Sequence, residues 1–178
     1  MVLLSKSFYL KDTVEVAQKL LGCVLFRELE GKIYKSIIVE TEAYTQEDAA
    51  CHAYRGITPR CEVMYGEGGA AYVYFIYGMH YCVNVVTEKK GRGCAVLIRA
   101  VEPLNYEAKT NGPARLCKAL NITKELNGAD LTSKASPVWI EKGEKTDFEI
   151  VTTPRIGIKQ NVDYPWRFYI KDNKWVSA

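Results

Sequence analysis

Histidine is scarce in this chain: only His52 and His80 occur in 178 residues. Cysteine is present six times, yet no two cysteines stand in a C-x-x-C pair. Cys51, His52, Cys61 and His80 could supply four metal ligands, but their spacing fits no familiar zinc pattern. A metal is therefore not expected. No apolar run approaches the roughly 20 residues of a membrane span. The opening MVLLSKSFYL is too short and too interrupted for a signal peptide. The expected setting is membrane-free and reducing (cytoplasm or nucleoid in a prokaryote, nucleus in a eukaryote), with free thiols.

A strong excess of one charge is also missing. Twenty-four Lys and Arg face 21 Asp and Glu, a formal balance of +3. That suits a polyanionic partner without demanding one. There is no internal repeat and no low-complexity segment. The length and the 48% hydrophobic content predict one domain over residues 1–178 with a sizeable core. Tyrosine is abundant instead, with twelve copies. Its flat apolar face and polar tip suit wet-edged cores and binding surfaces alike.

Asp12 to Leu21 reads as a short helix capped by Asp12, with Val14, Ala17 and Leu21 as its apolar stripe and Gly22 as its stop. Cys23–Leu29 and Lys32–Tyr44 read as strands joined by a turn at Glu30–Lys32. Thr45–Gly69 is a long connection of the kind that is functional or holds short helices. Ala71–Tyr77 and His80–Thr87 form a hairpin candidate, followed by a basic turn at Glu88–Gly93 and a strand over Cys94–Val101. Gly112–Asn121 begins with Gly-Pro and has helical apolar spacing. Val138–Glu141, Phe148–Thr152 and Arg167–Ile170 are further short strands. The sum is an α+β fold: a mixed, mostly antiparallel sheet with a few flanking helices.

The strand IIVETEAY (Ile37–Tyr44) raises a chemical question. Strict alternation puts Ile38, Glu40, Glu42 and Tyr44 on one face and Ile37, Val39, Thr41 and Ala43 on the other. The second face is apolar enough for a core. The first becomes polar toward the strand end, as a cleft wall would. A carboxylate there could orient or deprotonate water. Alternatively, Glu40 and Glu42 pair with Arg or Lys across the sheet. In YVYFIYGM (Tyr72–Met79), Tyr77 precedes Gly78 at the expected hairpin tip. It is a candidate wedge for a base stack, or an ordinary strand aromatic. Lys89, Lys90 and Arg92 either contact phosphates or form a solvated turn.

Seven segments together resemble one family. They are VETEAY (Val39–Tyr44), EDAACH (Glu47–His52), TPR (Thr58–Arg60), YVYFIYGM, VLIRAVEP (Val96–Pro103), GPARLCKAL (Gly112–Leu120) and RFYI (Arg167–Ile170). In this order they are similar to the alkyladenine (3-methyladenine) DNA glycosylases, from about Ser7 to Ser177. The resemblance implies one α+β domain with a curved antiparallel sheet and a protruding β-hairpin. It implies a cofactor-free monomer that hydrolyses the N-glycosidic bond of damaged purines in double-stranded DNA. Glu42 would activate water, and Arg99 would help hold it with a backbone carbonyl of Arg155–Ile158. Tyr44, His52 and Tyr74 would line the base pocket, and Asn84 would crowd the amine of guanine. Tyr77 would fill the gap left by the flipped nucleotide, with Met79, Thr58 and Arg115 near the DNA. His80 stands where relatives have an aromatic, and Arg115 where some have lysine. The motifs place no lysine as a Schiff-base nucleophile, so the implied enzyme leaves an abasic site without cutting the strand. Two other readings compete: a non-catalytic nucleic-acid-binding module and a nucleoside hydrolase.

Overall fold

The computed structural model describes residues 1–76, 78–144 and 147–177. In chain order the elements are β1 (Val2–Leu3), α1 (Lys6–Tyr9), α2 (Thr13–Lys19), β2 (Val24–Leu29), β3 (Lys32–Tyr44), β4 (Ala71–Ile76), β5 (His80–Val86), β6 (Ala95–Pro103), α3 (Pro113–Ala119), β7 (Val138–Lys142), β8 (Ile150–Thr153) and β9 (Arg167–Ile170). Short 3-10 turns at Glu62–Tyr65 and Lys124–Leu126 lie in the connections. The α+β expectation holds. One antiparallel sheet runs β1-β7-β2-β3-β6-β5-β4, with β9 added beside β3 and β8 beside β9. Sequence patterning did not reveal β1, α1 or either 3-10 turn, which are too short to carry a period.

Local chemistry explains the elements that frame the site. The Asp12 side chain accepts from the Val14 and Glu15 backbone N–H groups at 3.0 and 3.1 Å, capping α2. The fully buried residues of that helix region are Thr13, Val16, Ala17 and Leu20, a pattern of three- and four-residue steps. The buried stripe is wider than predicted: Val16 and Leu20 join Ala17 and Leu21 in the core, and Val14 packs partly buried against it. Glu30 and Gly31 both have positive φ, 51° and 76°, as a two-residue hairpin turn requires. It places Leu29 opposite Lys32.

The main core fills one side of the sheet, between α2, α3 and residues such as Ile38, Ala43, Val85 and Ile98. A smaller apolar cluster joins Cys51, Ala53, Cys61, Met64 and Tyr72 beneath the long loop after β3. A third joins Val24, Phe26 and Trp139. All six cysteines are buried and free.

Candidate active site

The site begins at a break in β3. Along one edge, residues 32–37 pair with β2, while Glu40, Thr41 and Glu42 pair with β9. Along the other edge β3 pairs with β6, with register shifts between Ile38 and Glu40 and between Glu40 and Thr41. A bulge inserts one residue and changes which side later residues face. Ile38 therefore packs in the main core with Ala43, and Thr41 Oγ1 donates to the Ala17 carbonyl at 2.8 Å. Ile37 packs instead on the Val24–Phe26–Trp139 cluster. The strict alternation that grouped Ile38 with Glu40 and Glu42 is corrected by this bulge.

Glu40 and Glu42 are both fully buried, and both have partners. Glu42 Oε1 accepts from the Ile156 backbone N–H at 2.8 Å and lies 3.3 Å from Arg99 Nη1. Glu42 Oε2 accepts from the Tyr44 hydroxyl at 2.7 Å. The Arg155–Ile158 stretch thus meets the carboxylate through the Ile156 N–H. Burial works against the charge on Arg99, but Glu42 and Glu40 more than offset it and hold its pKa above the usual value. Burial, reinforced by the Glu42 charge, pushes the Tyr44 phenol far up, so it remains a hydrogen-bond donor.

In front of this carboxylate lies a cavity of about 510 Å³, with Tyr44, His52, Tyr72, Tyr74, Asn84 and Arg99 in its wall. Its size falls within the range of pockets that enclose small ligands, roughly 300–1,000 Å³. Glu42 does not line the cavity; it sits directly behind Tyr44, Arg99 and Ile156, which do. The His52 ring meets Tyr74 edge to face at 4.6 Å, and the rings of Tyr72 and Tyr74 are 5.4 Å apart. Asn84 Nδ2 donates to the Tyr72 carbonyl at 3.0 Å, which fixes its amide.

His52 is open to solvent through the cavity but closely surrounded by protein. Desolvation, aided by the Arg60 charge, lowers its pKa to about 4. The ring is neutral at pH 7. Its Nδ1 lies 2.9 Å from the Tyr72 hydroxyl. That hydroxyl is buried and its proton needs an acceptor. The pairing is satisfied when Tyr72 donates to Nδ1, which places the imidazole hydrogen on Nε2.

The wall is braced from behind. Arg155 is buried, donates to the Ala43 carbonyl at 2.8 Å and pairs with Asp48. Its guanidinium lies 4.6 Å from the Tyr44 ring centre and 5.3 Å from that of Trp166. Asp48 also accepts from Asn161 Nδ2 at 2.7 Å. These contacts tie together the loop carrying His52, the segment carrying Ile156, and Tyr44.

The structure brings Tyr44, His52, Tyr74, Asn84 and Arg99 together around one cavity. Met79 is 70% exposed beside it in sequence, and Tyr77 lies outside the described residues. Thr58 is exposed, with its hydroxyl 3.2 Å from Cys61 Sγ. Arg115 is exposed next to Pro113 and Ala114 of the cavity wall. It shares a shallow depression with Lys109, Lys174 and Trp175. The basic turn is altered by Arg92, whose Nη2 lies 3.0 Å from Glu47 and whose Nε lies 3.3 Å from Glu88. Its charge is committed within the protein. Sequence reading missed Arg60, which stands 5.2 Å from the Tyr74 ring, and Lys159 at the cavity wall. Arg60 was within a quoted motif, but nothing in its spacing pointed at Tyr74.

The cavity is walled by aromatic rings, is large enough for a flat heterocycle, and is backed by a buried, hydrogen-bonded carboxylate. Comparison with known proteins makes the class specific. The sequence profile of the family described as Methylpurine-DNA glycosylase (MPG) matches residues 7–174. A protein of Carboxydothermus hydrogenoformans is 50% identical over 99% of this chain and 99% of its own length. One from Legionella pneumophila (strain Lens) is 51% identical over 98% of this chain and 97% of its own. One from Desulfitobacterium hafniense is 45% identical over 98% of each. All three bear the name "Putative 3-methyladenine DNA glycosylase". The chain belongs to the methylpurine-DNA glycosylase family.

Proposed function

We propose that this protein is a monofunctional DNA glycosylase for alkylated and deaminated purines. The observation that carries the reading is the Glu42 carboxylate, held by Ile156, Arg99 and Tyr44 directly behind an aromatic cavity. A base stacked in duplex DNA hides its glycosidic bond, so the nucleotide must leave the stack at a cost of a few kcal/mol. The extruded purine then lies between Tyr44, His52 and Tyr74, where stacking contributes roughly 1–3 kcal/mol per base. Tyr77 fills the vacated space. Met79 and Thr58 lie against the duplex, and Arg115 contacts phosphate.

Glu42 Oε2 accepts from Tyr44 and, as a carboxylate oxygen, takes a second hydrogen bond from a water that enters beside Tyr44 and Arg99 when the base is bound. Water attacks C1′ as the bond to the purine nitrogen breaks. The bonding electrons leave with the base, and Glu42 accepts the proton of the water. The same anion stabilises the oxocarbenium character that develops on the sugar. Purines alkylated at N3 or N7 are cationic and leave without protonation; they are also attracted by electron-rich ring faces. Neutral lesions need a proton or a hydrogen bond at the base. The Nε2–H of neutral His52 supplies a donor for them. Asn84, with its amide fixed by Tyr72, crowds the amine of guanine.

Incubation with methylated duplex DNA, followed by chromatography of the released bases, tests this reading. Wild-type protein should release methylated purines, and Glu42→Gln should abolish release while still binding damaged duplex. Undiminished release by Glu42→Gln would overturn the mechanism. Absence of release by the wild type would favour a binding module. Equal rates on free methylated nucleosides would favour a nucleoside hydrolase.

A further inference from the structure

The other carboxylate of VETEAY has a separate place in the structure. Glu40 lies one bulge away from Glu42 and is equally buried. Its Oε1 accepts from Arg99 Nε at 3.1 Å, Arg167 Nε at 2.7 Å and Ser177 Oγ at 2.8 Å. Its Oε2 accepts from the Ser177 backbone N–H at 2.7 Å. Ser177 Oγ in turn accepts from Arg99 Nη2 at 3.3 Å, and Arg167 Nη2 donates to the Ser177 carbonyl at 3.4 Å. Ser177 is far from the other site residues in sequence. A short strap delivers it: Asn173 Nδ2 is anchored on Glu102 of β6 at 2.8 Å, and the Val176 N–H bonds back to the Asn173 carbonyl at 3.2 Å.

This arrangement decides how Arg99 meets the catalytic carboxylate. A guanidinium beside a carboxylate prefers a two-pronged pair, which would occupy both oxygens. Here the Nε and Nη2 donors of Arg99 are already engaged by Glu40 and Ser177. The nearest approach of Arg99 to Glu42 is through Nη1, 3.3 Å from Oε1, while Oε2 accepts from Tyr44.

We infer that Glu40 and Ser177 are positioning residues for the reaction: they hold Arg99 in an orientation that cannot capture Glu42 in a bidentate pair. The inference rests on the proposed hydrolytic role of Glu42. It distinguishes the two glutamates, Glu42 acting at the reacting atoms and Glu40 acting through Arg99.

Single-turnover excision from methylated duplex, with enzyme in excess, tests the inference in the full-length chain. Ser177→Ala should lower the maximal excision rate by roughly tenfold or more, within the hundredfold that a misplacement of about 1 Å can cost. The enzyme concentration giving half-maximal rate should stay unchanged, since DNA contacts are untouched. Ser177→Thr, which keeps the hydroxyl, should recover most of the rate. In an Arg99→Lys background, where the Nε and Nη2 donors are gone, Ser177→Ala should have little further effect. Each variant is assayed below its melting transition, so loss of fold is recognised separately. Independent, multiplying effects of Ser177→Ala and Arg99→Lys would overturn the inference. So would an unchanged maximal rate in Ser177→Ala. Failure of the wild type to release any base would instead overturn the proposed function itself.

Discussion

The Tyr44 hydroxyl donates to Glu42 Oε2 at 2.7 Å while the Tyr44 ring forms part of the cavity wall. One side chain therefore touches both the cavity and the Glu42 carboxylate. Tyr44→Phe separates these roles, because the ring remains and the donor is lost. A buried anion that loses a charge-assisted hydrogen bond is destabilised by about 1.5–3 kcal/mol. The rate at pH 7 should fall by about tenfold or more. Binding of damaged duplex should change little. Single-turnover rates at pH 7 check this; an unchanged rate would show that the hydroxyl does not act on Glu42.

His52 makes a second prediction, on pH. Its folded-state pKa is lowered to about 4 by desolvation, with help from Arg60, against roughly 6.5 in an unfolded chain. The unfolded state therefore binds the proton first as pH falls. The contribution of His52 to stability is fully present above about pH 6.5 and is lost progressively between there and pH 4. With only two histidines in the chain, nitrogen-detected NMR can resolve both, and His80→Asn assigns them. The His52 signal should show the Nε2–H tautomer at pH 7 and should not titrate near 6.5. Tyr72→Phe removes the hydroxyl at Nδ1 and should mix the tautomers. A pure Nδ1–H form in the wild type would contradict the donor role proposed for His52.

Much of this architecture could be read before any coordinates. Long strands with clear periodicity, such as β2 and β3, and the Asp12-capped helix declared themselves through spacing and capping chemistry. The pocket residues Tyr44, His52, Tyr74, Asn84 and Arg99 came from ordered motifs rather than from any one motif's chemistry. What escaped was set by tertiary contact. The bulge at Val39–Glu40 depends on pairing with β6 and β9, which the strand's own alternation cannot encode. The approach of Ser177 to Glu40 joins residues 137 positions apart. Arg155 beneath Tyr44 arises in the same way, because a buried arginine in a loop has the same sequence signature as an exposed one.

Gly93 sets the position of the His52 loop. A Cβ at this residue would lie 2.4 Å from Ala53 Cβ and 2.8 Å from Tyr65 Cζ. Its own N–H and carbonyl hold Gln46 Oε1 at 2.9 Å and Cys51 Sγ at 3.6 Å. Gly93→Ala should therefore overpack the contact at a cost of about 1–3 kcal/mol. The melting temperature should drop by about 2–4 °C per kcal/mol in a chain of this size. Displacement of residues 51–53 should also slow excision of neutral lesions more than cationic ones, since only the former need the His52 donor. Adding Ala53→Gly removes the closest clash and should restore part of the loss. Unchanged melting in Gly93→Ala would show that the loop yields freely.

Lys159 puts the monofunctional reading at direct risk. Its side chain is among those bordering the cavity, so a primary amine stands near the place where the abasic sugar would form. An amine that attacked C1′ would form a Schiff base and open the way to strand cleavage. Lysines used this way are desolvated in apolar pockets or set beside another cation, which makes them nucleophilic. Lys159 is exposed. Glu42, in contrast, is buried, accepts from Tyr44 and Ile156 and is ion-paired with Arg99, consistent with the water-activating role proposed above. Reaction in the presence of sodium borohydride should therefore trap no covalent protein–DNA adduct, and the damaged strand should stay intact until treated with alkali. Lys159→Ala should leave the products unchanged in kind. A borohydride-trapped adduct that disappears in Lys159→Ala would instead make Lys159 the nucleophile and the enzyme bifunctional.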